Sequence, residues 1–290
     1  MKERREPYVD LHTHTTGSDG TLSPTQLVKR AASLGLCAVA ITDHDSVSGI
    51  DEAIAAAADL PIEVVPGVEL STEYSGTEIH VVGLFIDRTN AELRQQLIRF
   101  RDNRDNRNVK MINWLQEAGY RITAKEIYAR NPGAVIARPH IARYLTDTGQ
   151  AESMQWVFDH LIGAGCPYYV ERYKITPMRA VELIHAAGGT AILAHPCMYK
   201  ISRELLIQMV EEMITAGLDG IEALYSRSKD NDEAYYRSMA ERYGLLLSGG
   251  SDFHGSNKPD IELGTGTGNL RVPAGILENI KAYRKEKGLA

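Results

Sequence analysis

The stretch Tyr8-Val9-Asp10-Leu11-His12-Thr13-His14 begins the argument for the fold. Its first four residues are typical of a strand, and His12 and His14 stand at the end of that strand. Side chains two residues apart on a strand point to the same face, so both imidazoles could bind one divalent metal ion. A His-x-His pair alone is more often fortuitous, and a metal site therefore requires further ligand residues elsewhere in the chain.

The rest of the chain alternates between helical segments and short apolar runs. Thr25–Leu34 is predicted to be a helix that ends at Gly35, and Leu36–Thr42 is predicted to be a buried strand. The same order recurs between residues 180 and 251, where a glycine after each helix supplies the left-handed C-terminal conformation. Strands that alternate with helices predict an α/β chain with a parallel sheet, either open or closed into a barrel.

Two segments depart from this alternation. Residues 62–70 and 79–86 are predicted strands separated only by a turn at Ser75-Gly76, which favours a distorted barrel over a regular eightfold one. The stretch from Arg88 to Thr176 contains helical segments and no clear strand, and we expect it to form a helical insertion over the barrel mouth. The predicted domains are a barrel, residues 1–88 and 176–290, and a helical cap, residues 89–175.

The composition excludes several classes of protein. The net charge of −6 over 290 residues provides no general basic field for long duplex nucleic acid. Cys37, Cys166 and Cys197 are too few and too widely spaced for a disulfide framework, which favours a reducing compartment. No signal sequence and no membrane-spanning apolar stretch is evident. We therefore expect a cytoplasmic protein with no membrane association and no evident obligate protein partner.

Titratable residues recur where predicted strands end. His14, His44, Glu69, His195 and Asp252 all lie at the C-terminal ends of predicted strands. Active sites of α/β barrels are built at that end. A single histidine there is best explained as a structural residue, but a titratable group after nearly every strand is hard to explain by packing.

The motifs around these residues resemble the PHP (polymerase and histidinol phosphatase) family of metal-dependent phosphoesterases, nearly end to end. The motifs that carry the resemblance are His12-Thr13-His14 with Asp19-Gly20, Thr42-Asp43-His44-Asp45, Pro66-Gly67-Val68-Glu69, Glu78-Ile79-His80, Ala194-His195-Pro196 and Gly250-Ser251-Asp252-Phe253-His254. The resemblance implies a distorted (β/α)7 barrel that holds three divalent metal ions.

The resemblance also implies which residues bind each ion. The first ion would be held by His12, His14, Glu69 and Asp252, and Glu69 would bridge to a second ion held also by His80 and His195; the third would be held by Asp19, His44 and His254. Nitrogen and oxygen ligands without thiolate fit Mn, Fe or Zn, and Mn is the expected metal. Asp43 and Asp45 are predicted to be hydrogen-bond partners or helix N-caps rather than ligands.

The expected chemistry uses a hydroxide that bridges the metal ions and attacks phosphorus in line with the leaving oxygen. No protein nucleophile is needed, and Ser18 and Ser251 are predicted to have turn and cap roles. Glu222 is placed on a strand, where it could face the site or be a hydrogen-bonded residue of the barrel interior.

Substrate recognition is expected from the insertion. Its motif Arg138-Pro139-His140-Ile141-Ala142-Arg143 and the return at Tyr169-Val170 resemble one branch of the family, the 3',5'-nucleotide bisphosphate phosphatases, which overlap with the bacterial exoribonuclease called ribonuclease AM. The candidate substrate-binding residues are Arg104, Arg107, Arg138, His140, Arg172 and Lys174. The alternative for Arg104 and Arg107 is a solvated, self-paired helix face.

Three functions remain open. The first is removal of the 3'-phosphate from 3',5'-nucleotide bisphosphates, or 5'-to-3' trimming of short 5'-phosphorylated RNA, with the small nucleotide or RNA as partner. The second is another phosphatase of the same family, such as a histidinol-phosphate phosphatase, which the motif at Arg138 disfavours. The third is a metal-loaded scaffold without activity, which nine intact ligand positions disfavour.

Overall fold

The computed structural model describes residues 7–131, 136–171 and 173–289. Within these ranges eight strands form one sheet in the order β7-β6-β5-β4-β3-β2-β1-β8. The strands are β1 (Tyr8–Asp10), β2 (Ala38–Ile41), β3 (Glu63–Tyr74), β4 (Thr77–Leu84), β5 (Thr190–Leu193), β6 (Gly220–Tyr225), β7 (Leu246–Gly250) and β8 (Val272–Pro273).

Neighbouring strands are parallel except around β4 and β8. β4 is antiparallel to both β3 and β5, and β8 is antiparallel to β1. The sheet closes beyond the ends of β1 and β7, because the Asp252 amide donates to the His12 carbonyl at 2.8 Å and the His14 amide donates to the Phe253 carbonyl at 2.9 Å. β1 to β7 therefore form a seven-stranded barrel with β8 added beside β1, and the predicted distorted (β/α)7 barrel is confirmed.

Helices connect most of the parallel strands. The α-helices are α1 (Pro24–Leu34), α2 (Ile50–Ala57), α3 (Ala91–Glu117), α4 (Ala124–Arg130), α5 (Arg138–Asp147), α6 (Met154–Val157), α7 (Pro177–Ala186), α8 (Arg203–Thr215), α9 (Asp232–Tyr243) and α10 (Ala274–Glu286). β3 and β4 are joined only by Ser75 and Gly76, which have φ angles of 48° and 78°. Two successive positive φ angles are typical of a tight hairpin turn, and the predicted hairpin is therefore present.

Helix α1 illustrates why these segments fold where the sequence predicts. The Ser23 hydroxyl accepts a hydrogen bond from the Gln26 amide at 3.2 Å, and the Gln26 side chain accepts one from the Ser23 amide at 2.9 Å. This capping box satisfies two amides that the first helical turn leaves unpaired. Pro24 occupies the first position, where no amide is needed, and Gly35 ends the helix with φ 81°.

The chain divides into two compact units. One contains Met1–Gln95 with Ile175–Ala290, and the other contains Gln96–Lys174. The second unit has its own buried core, which includes Leu115, Ile141 and Leu145. The division falls inside α3, a few residues from the boundaries predicted from the sequence, because this helix continues without a break from one unit into the next.

Several elements differ from the prediction. Helices α2 and α10 and strand β8 were not predicted from the sequence. The segment Ala151–Ile162, predicted as one helix, is α6 followed by a π-helical turn at Phe158–Ile162. It begins later than predicted because the Ser153 hydroxyl caps α6 by accepting from the Trp156 amide at 3.1 Å. Among the described residues, none of the helices combines the length and the apolar character that crossing a membrane requires.

Candidate metal centre

Six of the nine predicted ligands lie just beyond the C-terminal ends of barrel strands, all within the first unit. They are His12 and His14 after β1, His44 after β2, His195 after β5, and Asp252 and His254 after β7. Parallel strands of a barrel end on the same rim, so these side chains enter the same space. The rings of His14 and His254 are 4.0 Å apart between centroids, and those of His12 and His195 are 5.6 Å apart.

Like His12 and His14, Asp252 and His254 are two residues apart in the sequence and are predicted to share one face of a strand. This prediction is wrong, because both residues lie beyond the end of the strand. β7 ends at Gly250, and Asp252 has a left-handed backbone with φ 57°. Non-glycine residues rarely adopt this conformation, which often marks functional sites. It turns the chain so that His254 Nδ1 lies 3.3 Å from Asp252 Oδ1.

Glu69 was predicted at a strand end, but it lies inside β3. β2 pairs only with residues 63–66 of β3, so β3 continues past the end of β2 as a long hairpin with β4. The middle of β3 is therefore level with the ends of the other strands. His80, on β4, pairs with Ser71 in the register and points to the same face as Glu69.

The carboxylate of Glu69 lies at the centre of the cluster and is fully buried. Its Oε1 is 2.9 Å from both His80 Nδ1 and His195 Nε2. Its Oε2 is 3.3 Å from His12 Nε2, 3.2 Å from His14 Nε2 and 3.0 Å from His44 Nδ1. Each oxygen faces a different set of histidines, which is the arrangement a bridging carboxylate requires.

Asp19 and Asp252 complete the cluster. Asp19 Oδ1 is 3.3 Å from His254 Nε2 and 3.9 Å from His14 Nδ1. Asp252 Oδ1 is 3.3 Å from His14 Nε2 and 3.8 Å from His12 Nε2. The structure thus brings all nine predicted ligands together in four overlapping groups: His14, Asp19, His44 and His254; His12, Glu69 and His195; His12, His14 and Asp252; and His44, Glu69 and His80.

Donor geometry fits divalent metal ions. Ligand atoms about 2.1 Å from a common ion lie roughly 3.0 to 3.5 Å from one another, and the separations given above run from 2.9 to 3.9 Å. The four groups differ from the three predicted ligand sets. His14, which was predicted to bind the first ion, also lies with the residues that were predicted to bind the third.

Unsatisfied polar atoms point to the same conclusion. Within the described part of the chain, His12 Nε2, both ring nitrogens of His14, His44 Nδ1, His80 Nδ1 and Glu69 Oε2 are buried without a hydrogen-bond partner. Each such atom costs roughly 1 to 3 kcal/mol. A folded protein tolerates this concentration where a ligand satisfies the atoms, and metal ions would do so.

Negative charge is retained in the cluster despite burial. Burial raises the pKa of Glu69, but the neighbouring imidazoles of His44 and His12 lower it by more than burial raises it. The resulting pKa is well below the ordinary value. Burial likewise raises the pKa of Asp252, whereas Lys258 and His254 bring it well below the ordinary value. Burial lowers the pKa of His80, but the Glu69 carboxylate raises it to about 10. These ionised carboxylates favour bound cations.

Glu222 on β6 is a functional candidate that the sequence left open. Its side chain is 3 % exposed. Its Oε1 lies 3.2 Å from His12 Nδ1, and its Oε2 accepts a hydrogen bond from the His195 amide at 2.7 Å. A carboxylate on one ring nitrogen of a histidine orients the other nitrogen toward a metal. The signal was a lone acidic residue within an otherwise apolar strand.

Lys258 and Tyr225 hold the second oxygen of Asp252. Lys258 Nζ donates to Asp252 Oδ2 at 2.6 Å, and the Tyr225 hydroxyl donates to the same atom at 2.8 Å. Oδ1 is thereby left facing the histidines. Neither residue was predicted from the sequence, because their relation to Asp252 exists only in the folded chain.

Asp43 and Asp45 support loops around the cluster. Asp43 accepts hydrogen bonds from the Thr15 amide at 2.7 Å and from the Ser18 hydroxyl at 2.7 Å. Asp45 accepts from the Ser71 amide at 2.9 Å. Both make the hydrogen bonds expected of supporting residues.

The two serines near the cluster are also engaged. The Ser18 hydroxyl donates to Asp43, and the Ser251 hydroxyl donates to the buried carboxylate of Asp10 at 2.5 Å. Neither lies beside a histidine base in the manner of a nucleophilic serine, and the expected absence of a protein nucleophile stays a prediction.

The predicted substrate-binding residues that the structure describes lie in the second unit. Arg138 begins α5, and its guanidinium lies 5.4 Å from the Tyr169 ring centroid and 5.8 Å from that of Phe158. His140 Nδ1 accepts a hydrogen bond from the Ala137 amide at 3.0 Å. Lys174 is half-buried. The predicted contact at Arg172 lies outside the described residues.

Arg104 and Arg107 are not a solvated helix face. Their exposed fractions are 6 % and 7 %, whereas the side chain of Arg101 on the same helix is 62 % exposed. Arg107 donates to Asn108 Oδ1 at 3.1 Å. Burial of two guanidinium groups requires polar partners, so the solvated alternative is wrong for these two residues.

Comparison with known proteins agrees with this geometry. A family model described as PHP domain matches residues 10–246. The chain is 38% identical over 246 residues to a 5'-3' exoribonuclease of Haemophilus influenzae, covering 84% of this chain and 89% of the relative. It is 35% identical over 269 residues to the 5'-3' exoribonuclease Rnm of Escherichia coli, covering 92% and 90%.

A 3',5'-nucleoside bisphosphate phosphatase of Chromobacterium violaceum is 36% identical over 258 residues, covering 88% of this chain and 90% of the relative. Solved structures are similar throughout. A protein of Bifidobacterium adolescentis described as a metal-dependent phosphoesterase gives a TM-score of 0.83 at 29% identity, covering 95% and 96%. An amidohydrolase of Chromobacterium violaceum with bound sulfate and no metal gives 0.81 at 33% identity, covering 96% of each chain. The chain belongs to the PHP domain family, as its motifs predicted.

Proposed function

We propose that the protein is a metal-dependent phosphoesterase acting on nucleotides. It removes the 3'-phosphate from 3',5'-nucleotide bisphosphates, or trims short 5'-phosphorylated RNA from the 5' end. The observation that carries the proposal is the Glu69 carboxylate, whose two oxygens face separate histidine sets at 2.9 to 3.3 Å. The names of the relatives from Haemophilus influenzae and Chromobacterium violaceum support both substrates.

Three divalent ions, with Mn²⁺ favoured over Fe or Zn, are the proposed cofactors of the cluster. When bound, they supply positive charge for the phosphoryl oxygens and make hydroxide available near neutral pH. Glu69 contacts histidines of both sets and keeps their rings in place. Glu222 orients His12 through the other ring nitrogen, Nδ1. Lys258 and Tyr225 fix Asp252 in one rotamer.

Recognition of the 5'-phosphate is assigned to arginines of the second unit, with Arg138 as the principal candidate. The flanking rings of Phe158 and Tyr169 restrict its guanidinium, and a restrained guanidinium loses less entropy when it binds a phosphate in a bidentate manner. Arg104, Arg107, His140, Arg172 and Lys174 remain proposed contacts. The free thiols of Cys37, Cys166 and Cys197 support a cytoplasmic location.

A substrate panel tests the function directly. Turnover is measured on 3',5'-bisphosphoadenosine, a 5'-phosphorylated trinucleotide, histidinol phosphate and an aryl phosphate, each with Mn²⁺-loaded and chelator-treated protein. We expect kcat/KM to be highest for a nucleotide substrate and turnover to be lost after chelation. A preference for histidinol phosphate, or undiminished turnover without metal, would contradict the proposal.

A further inference from the structure

A cavity of about 540 Å³ lies in the barrel unit beside His195. It is lined by residues 197–200 after β5, by residues 226–229 and Asp232 after β6, and by Thr267 and Asn269 before β8. Its lining includes Met198, Lys200, Arg227, Lys229 and Asn269.

The cavity wall is continuous with the metal centre. Tyr199 lines the cavity, and its ring centroid lies 5.8 Å from that of His195. Ser226, in the same wall, follows directly on Tyr225, whose hydroxyl donates to Asp252 at 2.8 Å. A ligand that fills the cavity is therefore next to residues proposed to bind the metal ions.

The cavity is positively charged although the chain as a whole carries −6. Three cationic residues line it, against one acidic residue, Asp232. Arg227 is paired with Asp260 at 2.8 Å. The exposed side chains of Lys200 and Lys229 have neither an ion pair nor a hydrogen bond among the residues that the structure describes. The two ammonium groups are thus available to an anionic ligand.

The wall is fixed before any ligand arrives. The Ser226 hydroxyl donates to the Ser251 carbonyl at 2.6 Å, and the Thr267 hydroxyl donates to the Ser226 carbonyl at 3.1 Å. Met198, 46 % exposed, contributes an apolar surface to the same lining. Cations beside a flexible apolar side chain suit a ligand that has both phosphate and a planar base.

We propose that this cavity binds a further nucleotide unit of an RNA substrate, adjacent to the nucleotide whose phosphate ester is hydrolysed. The proposal rests on the proposed function and deepens it by locating where a second nucleotide of an RNA substrate is bound. The volume is within the range of roughly 300 to 1,000 Å³ that accommodates whole small molecules, and a lone phosphate would leave it largely filled with water. A nucleotide bisphosphate has no second nucleoside to place there, whereas a short RNA has one.

The double variant Lys200→Gln/Lys229→Gln tests the proposal, since it removes two cations and no interaction within the described chain. A matched control is Lys29→Gln/Lys285→Gln, which removes the same charge from exposed positions on α1 and α10 that do not line the cavity. KM and kcat are measured for a 5'-phosphorylated trinucleotide and for 3',5'-bisphosphoadenosine over a range of salt concentrations. Binding of a fluorescent trinucleotide with a non-hydrolysable methylenephosphonate first linkage is measured by anisotropy.

We expect the cavity variant to bind the trinucleotide more weakly, with a slope of log affinity against log salt that is less steep by about 1.4, the contribution of two phosphate contacts to single-stranded nucleic acid. Its kcat/KM for the bisphosphate should change by less than about twofold, because separated exposed charges are screened. Control and cavity variants with equal trinucleotide affinity, or equal losses on both substrates, would overturn the proposal. Wild-type protein that hydrolyses neither nucleotide would instead refute the proposed function, and the anisotropy measurement would still decide on the cavity.

Discussion

Glu222→Gln is expected to weaken metal binding without unfolding the protein. The carboxylate of Glu222 contacts His12 Nδ1 at 3.2 and 3.3 Å and accepts the His195 amide at 2.7 Å. Glutamine has the same size and can still accept from the His195 amide. Its NH2 group then takes the position of Oε1 beside His12 Nδ1, which favours an accepting Nδ1 and a ring proton on Nε2. Nε2 is the atom that faces Glu69, and a protonated nitrogen cannot bind a metal.

The magnitude follows from the position of Glu222 behind a ligand. Loss of such a partner typically lowers metal affinity or activity by 10- to 100-fold, which corresponds to about 1.4 to 2.7 kcal/mol. Mn²⁺ affinity is measured by competition with a fluorescent chelator, and folding by urea denaturation of the metal-free protein.

Asp219→Asn is the matched control for this measurement. Asp219 is also an acceptor for a histidine and an amide, His185 Nε2 and Ala191 N, both at 2.8 Å, but it holds none of the predicted ligands. It should lower stability and leave Mn²⁺ affinity unchanged. Wild-type Mn²⁺ affinity in Glu222→Gln would refute the orienting role.

Three further outcomes are expected. Glu69→Gln should reduce the bound metal found by elemental analysis, because both histidine sets lose the anion that they share. It should also lower turnover by more than about 100-fold, which is the upper end of the effect of losing a residue that only supports a metal ligand. Burial raises the pKa of Asp219, but hydrogen bonds from His185 and Tyr283 lower it below the ordinary value. The ionised Asp219 carboxylate therefore stabilises the folded state above about pH 3.9, and this contribution is lost as pH falls through the folded-state pKa. The difference in free energy of unfolding between wild type and Asp219→Asn, measured with urea, should accordingly decrease from neutral to acidic pH. Arg138→Ala should raise KM for 3',5'-bisphosphoadenosine far more than for an aryl phosphate, and equal effects in steady-state assays would remove Arg138 from 5'-phosphate binding.

The barrel could be predicted because its signals are local. A capping box, a C-terminal glycine and an apolar run of four to seven residues each determine an element within one or two turns of chain. Helix α2 was not predicted because its sequence, IDEAIAAA, is not followed by a glycine. Its N-cap residue is Gly49, which has no side chain to cap the first turn. β8 is two residues long and has no pattern of its own.

The candidate centre was only partly predictable, and the missing parts are those that depend on closure of the barrel. Glu222 and Lys258 act through residues far away in sequence, so no spacing indicates their partners. Gly250 is a similar case. A Cβ at this position would lie 2.4 Å from the Cβ of His12, a distance that real Cβ atoms do not show. Only the close approach of β7 to the chain after β1 explains why glycine is needed there.

The irregular part of the barrel is also the part on which the centre depends. In a regular α/β barrel every ligand would come from a strand end. The carboxylate at the centre of this cluster comes instead from the antiparallel pair β3–β4, because β3 extends beyond β2 and carries Glu69 in its interior. The tight turn at Ser75 and Gly76 fixes His80 opposite Ser71. Since side chains alternate along a strand, a slip of one residue would turn His80 to the opposite face, so the turn that breaks the repeat also sets the distance of 2.9 Å between His80 and Glu69.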